Sequence, residues 1–301
     1  MSSSRYWELR VPVSPALAEG LTNFVWELGA LGVVEEEEPD KPSRLRAFFP
    51  KTEFAAALEE RVRAYLEGVR ALGFETPGGP SVVALADEDW AEAWRAHFRP
   101  VAVGRSLLVV PPWERPPRTA RLVVTIEPGR AFGTGQHGST VGCLLRLEAL
   151  LQNGAPAGAI DLGTGSGILA ITAARLGVGS VLAVDEDPDA VAAAIANAAR
   201  NGVCDRVRCV LSAASCLDAP AAPLVVANLL AAAHLRLGGR YGRWVTDGGT
   251  LILGGILDAE APVVAEALGA HGFIERARAS VEGWTSLELQ RGPRAPLHDR
   301  A

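Results

Sequence analysis

Apolar and polar residues alternate from Tyr6 to Val13, with Trp7, Leu9 and Val11 on one face and Glu8 and Arg10 on the other. That period of two predicts a strand. Ser14 is placed to cap a helix with Pro15 at its first position. Leu17, Leu21, Phe24, Val25 and Leu28 then recur at helical spacing until Gly29 and Gly32. Strands are predicted over 33–38 and 45–49. A second amphipathic helix is predicted over 54–72, with Phe54, Leu58, Val62, Tyr65, Leu66 and Val69 inward. A fourth strand is predicted over 81–85. The order β-α-β-β-α-β is the ferredoxin-like split pattern, so a small α+β domain is placed at 1–86.

Asp87–Arg99 is predicted to be a connector helix, 87–99, acidic at its start and basic at its end as the helix dipole favours. Trp90, Trp94 and Phe98 form one stripe on it, read as packing, and Pro100 stops it. Strands over 106–111 and 121–126 flank a Pro-rich turn. A glycine-rich loop runs over 127–140. From Val141 strands and helices alternate. Strands are expected at 158–162, 180–185, 207–212, 224–228, 249–253 and 286–290. Helices are expected at 168–176, 188–201, 231–245 and 259–271, the second capped by Asp187. This pattern predicts a doubly wound α/β domain at 100–292. The Pro/Arg-rich tail 293–301 is expected to be disordered.

Composition narrows the class. The 301 residues carry a net charge of −6, and all of it falls in the first hundred, with 17 Asp and Glu against 11 Lys and Arg. The remainder is neutral. A nucleic-acid binder needs a basic surface, so a direct nucleic-acid partner is not expected. The acidic excess fits a basic protein partner, and it equally fits ordinary solvated charge. The cysteines at 143, 204, 209 and 216 form no C-x-x-C pair, so neither a metal site nor a thioredoxin-like motif is signalled. No signal core and no apolar run of about 20 residues occurs. A reduced cytoplasmic setting with no membrane partner is the expectation.

Four segments carry candidate chemistry. The first is Asp161-Leu162-Gly163-Thr164-Gly165-Ser166-Gly167, closing a predicted strand and opening a helix. Its glycines permit a sharp turn and close backbone approach, and the helix start presents free N–H groups. The spacing is D-x-G-x-G-x-G, not the dinucleotide pattern G-x-G-x-x-G. An acid two residues before the first glycine would repel a pyrophosphate. It suits a cationic ligand with an amine and a sulfonium, as S-adenosylmethionine has. The second is Asp185, at the next strand end and 22 residues after Gly163, where an acid accepts from both ribose hydroxyls; Asp187 reads as a helix cap instead. The third is Asn228, ending the apolar strand before Leu229 and Leu230, where polar side chains face the ligand crevice and an amide oxygen can accept from an amine. The fourth is the loop Glu127–Thr140, whose glycines surround Phe132 and His137 and read either as a pocket wall or as a plain glycine loop.

Taken together these segments resemble the PrmA family, methyltransferases of large-subunit ribosomal protein eleven. The glycine loop is similar to that family's D-P-G-M-A-F-G-T-G-x-H-x-T-T. Asp161–Ile171 is similar to its D-L-G-T-G-S-G-I-L-A-I. Ala227-Asn228-Leu229, Gly255-Ile256-Leu257, Gly283-Trp284 and the D-W-x-x-x-W-x-x-x-F-x-P pattern from Asp89 to Pro100 match further motifs. Departures are Glu127 for Asp, Gly138-Ser139 before Thr140, Gly254 for Ser or Thr, and Thr285 for an aliphatic. The resemblance implies a Rossmann-like class I methyltransferase domain behind the ferredoxin-like domain. It implies S-adenosyl-L-methionine as cofactor, with contacts on Thr140, Gly163, Asp185 and Asn228. It implies lysine side chains and the N-terminal amine of the ribosomal protein as acceptors, gripped by the N-terminal domain. The sequence does not fix the oligomeric state, and a monomer is one expectation.

The expected step is in-line attack of a neutral amine on the sulfonium methyl, so positioning matters most. Asn228 is the candidate catalytic residue, orienting the amine. Asp161, Gly163, Gly165, Gly167, Asp185, Thr140 and Asn228 are the candidate cofactor contacts. Phe132, His137, Leu229 and Leu230 are the candidate walls of the substrate pocket. His137 or His234 could relay a proton, although both read more simply as structural. Competing readings are a methyltransferase of another protein or small-molecule amine, a catalytically silent binding module and, more distantly, a dehydrogenase.

Overall fold

The structure, a computed structural model, describes residues 6–30, 32–36, 43–50, 55–71, 73–85, 98–116, 118–128, 133–152 and 154–293. Most of the predicted connector helix, the predicted strand end at 37–38, Phe54, Leu72, Phe132 and the tail from 294 onward lie outside them. The chain divides into two units, 1–99 and 100–301.

In the first unit, β1 (Tyr6–Pro12), α1 (Pro15–Glu27), β2 (Gly32–Glu36), β3 (Arg44–Pro50), α2 (Ala55–Ala71) and β4 (Ser81–Leu85) follow one another. The sheet order is β2-β3-β1-β4, antiparallel throughout. Two split βαβ halves interleave in that way. Leu9 pairs with Ala47 and Val11 with Leu45, and all four join Leu21, Val25, Leu58 and Val62 in one core. The period-two and period-3.6 stripes thus meet face to face. Two details differ from expectation. The Ser14 hydroxyl does not cap α1 but donates to the Glu75 carbonyl at 3.2 Å. Glu8, on the face away from the helices, is fully buried. It accepts from the Arg10 guanidinium at 2.9 and 2.8 Å and from Arg46. Burial raises its pKa, but these two guanidiniums outweigh burial and leave it lowered.

The second unit begins with β5 (Val101–Val103), β6 (Leu107–Val110) and β7 (Leu122–Thr125), a separate three-stranded sheet. Then come α3 (Gly138–Leu151), β8 (Gly158–Leu162), α4 (Ile168–Arg175), β9 (Ser180–Asp185), α5 (Pro188–Arg200), β10 (Val207–Leu211), β11 (Ala222–Asn228), α6 (Ala231–Trp244), β12 (Val245–Leu257), α7 (Ala261–Ala270), β13 (Phe273–Val281) and β14 (Trp284–Arg291). The main sheet runs β10-β9-β8-β11-β12-β14-β13. Its first five strands are parallel, and the last two are antiparallel to their neighbours. One buried core lies on each face of the sheet, as a doubly wound fold requires. Strand order reverses between β8 and β11. Ligands bind at such a switch point, outside the carboxyl ends of the strands.

Three elements were not anticipated. α3 starts at Gly138, inside the span read as loop, so Ser139 and Thr140 lie in its first turn. β5 has only three residues. β13 alternates buried Phe273 with exposed residues rich in charge, a half-solvated edge with no strong apolar run. β12 is also longer than the predicted 249–253, because a bulge between Leu253 and Ile256 carries the strand past Gly254-Gly255.

Candidate active site

The segment after β8 turns through three glycines in the left-handed region: Gly163 at φ 68°, Gly165 at 54° and Gly167 at 84°. A Cβ on Gly167 would also sit 3.1 Å from the Ala194 backbone. Glycine is therefore required there both for conformation and for the approach of α4 to α5. Gly167 is the N-cap of α4.

Asp161, at the end of β8, is buried. Its Oδ2 accepts from the Thr164 hydroxyl at 2.7 Å and from the Ala170 N–H at 3.0 Å, tying strand, turn and first helical turn together. Its Oδ1 is buried with no partner among the described residues. Burial first, with the nearby Asp185 adding, pushes its pKa up to about 6 against the pull of those two hydrogen bonds. The unpartnered oxygen is an acceptor that a cation or N–H group would satisfy.

Asp185 ends β9, level with Leu211 on β10. Its Oδ2 accepts from the Gly165 N–H at 2.8 Å and its Oδ1 from the Asp187 N–H at 3.0 Å. Each oxygen keeps a second lone pair for a hydroxyl. Asp187 caps α5 through the Asp189 N–H.

Asn228 ends β11, level with Gly254 on β12. Its Nδ2 donates to the hydroxyls of Ser139 and Thr140 on α3, each at 3.3 Å. Its Oδ1 is buried and, among the described residues, unpartnered. A Cβ at Gly254 would lie 2.9 Å from that oxygen and 2.3 Å from the Cys143 Sγ. Glycine at 254 is thus required by close packing, because Cys143 and the Asn228 oxygen already occupy the volume a side chain there would need.

Leu229 is partly buried against the core under β11, and it lies against Gly163, where a Cβ would meet its Cδ2 at 2.5 Å. Leu230 is exposed and opens α6. His137 caps α3. Its Nδ1 accepts from the Ser139 N–H at 3.3 Å and meets the Ser139 hydroxyl at 2.8 Å, while its ring stacks at a tilt on Trp284. Burial lowers its pKa. His234 is fully buried, with Nδ1 at 2.8 Å from the Tyr241 hydroxyl and Nε2 at 2.8 Å from the Gly254 carbonyl. Burial pushes its pKa down to about 4. A neutral imidazole with both nitrogens engaged braces the strand end beside Asn228 and has no route for relaying a proton.

Two residues of this region carried no recognisable signal. Asn197 on α5 donates to the Ser166 carbonyl at 2.9 Å and accepts from the Glu127 N–H at 3.0 Å. Asn201 brackets Thr125, accepting from its N–H at 2.8 Å and donating to its carbonyl at 2.6 Å. Together they fasten the start of the glycine loop to α5. Ser166 fastens the far side by donating to the Gly133 carbonyl at 2.5 Å. An asparagine inside an otherwise Ala-rich helix was the available clue, since buried amides demand partners.

A doubly wound sheet with a D-x-G-x-G-x-G turn, an acid after the next strand and an antiparallel final pair defines a Rossmann-like methyltransferase. The family model described as ribosomal protein L11 methyltransferase (PrmA) matches residues 5–292. A ribosomal protein L11 methyltransferase of Geobacter sulfurreducens is 37% identical over 93% of this chain and 96% of its own length. One from Pelobacter propionicus is 34% identical over 97% and 100%. The crystal structure of a ribosomal protein L11 methylase from Lactobacillus delbrueckii subsp. bulgaricus has a TM-score of 0.60 and 31% identity. It covers 65% of this chain and 100% of its own. The chain belongs to the ribosomal protein L11 methyltransferase family.

Proposed function

We propose that the protein transfers methyl groups from S-adenosylmethionine to lysine side-chain and N-terminal amines of ribosomal protein L11. The observation that carries this reading is the Oδ1 of Asn228 at the switch point of the sheet, buried and without a partner among the described residues. Buried acceptors without partners are rare and costly in folded proteins, and an amine N–H is the partner this one fits. The cofactor fits the same crevice. Asp161 offers a second acceptor with no partner among the described residues, Asp185 retains acceptor capacity for hydroxyls, and the glycine turn leaves backbone approachable.

When bound, the cofactor supplies a methyl group already activated by its sulfonium, so this chain's residues have only to position and desolvate the acceptor. A free lysine has a pKa of about 10.4, and an amine attacks only after losing its proton. Apolar surroundings disfavour the ammonium form, and Leu229, packed against the core beside Asn228, supplies such surroundings. The proton leaves to solvent, with no protein base required. The Asn228 oxygen then accepts an N–H of the neutral amine and turns its lone pair toward the reacting carbon. That orientation is worth more as the geometry tightens toward the transition state.

Asn228→Ala is expected to lose at least about a hundredfold in turnover, with the fold unchanged by circular dichroism. Full activity of that variant on ribosomal protein L11 would remove the assignment. The similarity over nearly the whole chain favours this acceptor over a small-molecule amine. The acidic first hundred residues add a surface suited to a basic protein.

A further inference from the structure

We infer that His137 and Ser139 are positioning residues that fix which way the Asn228 amide faces, so that its oxygen is presented to the acceptor amine. This rests on the reading of Asn228 given above.

The direction of each hydrogen bond in the chain follows from chemistry. The Ser139 backbone N–H can only donate, and it points at His137 Nδ1, so that nitrogen carries no proton. A ring with a bare Nδ1 is the neutral tautomer, so its proton sits on Nε2, and burial, which lowers its pKa, favours that form. The Ser139 hydroxyl, 2.8 Å from the same bare Nδ1, must donate to it. Its lone pairs are then left to accept, and the Asn228 side-chain group facing it at 3.3 Å must be the NH2. Thr140 receives the other N–H at the same distance. The amide oxygen is forced to the opposite side, toward Gly254 and Gly255, where a Cβ would lie 2.9 and 3.2 Å from it.

An amide with hydroxyl neighbours alone has no such preference, because a hydroxyl serves equally as donor or acceptor. The bare histidine nitrogen breaks the symmetry. Without it the amide could turn over and donate its N–H groups to the amine, which would tie up the attacking lone pair in a hydrogen bond. The helix cap of α3 and the orientation of the acceptor are thus set by one nitrogen atom. His137 is braced in turn by Trp284.

Four variants of the full-length protein test this: Ser139→Ala, His137→Ala, His137→Asn and Asn228→Ala. Each is assayed with S-adenosylmethionine and ribosomal protein L11 for kcat and KM, and by calorimetry for cofactor affinity. Ser139→Ala and His137→Ala are expected to lose about tenfold to a hundredfold in kcat, with cofactor Kd within about threefold of wild type. His137→Asn keeps a capping oxygen that accepts from both the Ser139 N–H and hydroxyl, and it is expected to recover most of the loss. Wild-type kcat in Ser139→Ala, or His137→Asn falling as far as His137→Ala, would overturn the inference. So would a drop in cofactor affinity that matches the drop in kcat, which would mark a structural role. Asn228→Ala separates the two claims. If it is inactive while Ser139→Ala is normal, only the positioning role fails. If it is itself fully active, the reading of the site fails as well.

Discussion

At the scale of single residues, the site holds two buried acceptors, Asp161 Oδ1 and Asn228 Oδ1, without partners among the described residues. Asp161 is the clearest case. With its pKa held at about 6 by burial, the folded protein without cofactor binds a proton between about pH 4 and pH 6 that the unfolded chain has released. Stability contributed by this group is therefore present below the unfolded value and is lost as pH rises toward 6. His234 works in the opposite direction. Its pKa of about 4 means the unfolded chain takes up a proton that the folded one refuses, so stability is lost as pH falls from about 6.5 toward 4. Asp161→Asn removes the first effect. It is expected to stabilise the cofactor-free protein at pH 7.5 by up to about 3 kcal/mol, at 1.36 kcal/mol per pKa unit, read as a raised thermal midpoint, with the gain shrinking toward pH 5. A cationic ligand holds Asp161 ionised, so calorimetry at pH 5.5 in buffers of different ionisation enthalpy should show proton release on cofactor binding to wild type. No release, together with no stabilisation in Asp161→Asn, would contradict the role given to this carboxylate.

At the scale of elements, the turn between β8 and α4 sets how closely α4 approaches α5. Gly167→Ala meets both a left-handed φ of 84° and the Ala194 backbone at 3.1 Å, which is not a flexible side chain that can move aside. A loss of about 1–3 kcal/mol is expected, read as a lowered denaturation midpoint with unchanged m-value. Gly163→Ala differs, because the atom it meets is the far end of Leu229. This turn was legible beforehand, since its chemistry is local: strand, three spaced glycines, helix. So were most strands and helices whose apolar period was clean. α3 was missed because its first turn, Gly138-Ser139-Thr140, reads as loop by composition; His137 at its cap is not a usual capping residue, and only the structure shows its ring doing that work. The roles of Asn197, Ser139 and Cys143 were equally illegible. Each depends on a partner 31 to 111 positions away in sequence, and spacing alone cannot bring such pairs together.

For the whole molecule, the separation of charge now has a location. The acidic excess lies in the first unit together with the connector region, while the crevice belongs to the second unit, which is neutral. We propose that the first unit recognises the basic substrate protein. If so, KM for ribosomal protein L11 rises about tenfold or more between 50 and 300 mM salt, as screened charges lose their reach, while cofactor Kd stays nearly constant. A KM independent of salt would leave the charge as ordinary solvated surface. No helix among the described residues is long and apolar enough to cross a membrane.

Where the methyl groups appear is the most direct test of the acceptor amines and of Asn228. Purified protein is incubated with isotope-labelled S-adenosylmethionine and ribosomal protein L11, and the product is digested and mapped by mass spectrometry. Label is expected on lysine ε-amines and on the N-terminal amine in wild type, and it is expected to be absent with Asn228→Ala. Label on other side chains, no label at all, or equal labelling by Asn228→Ala would contradict it.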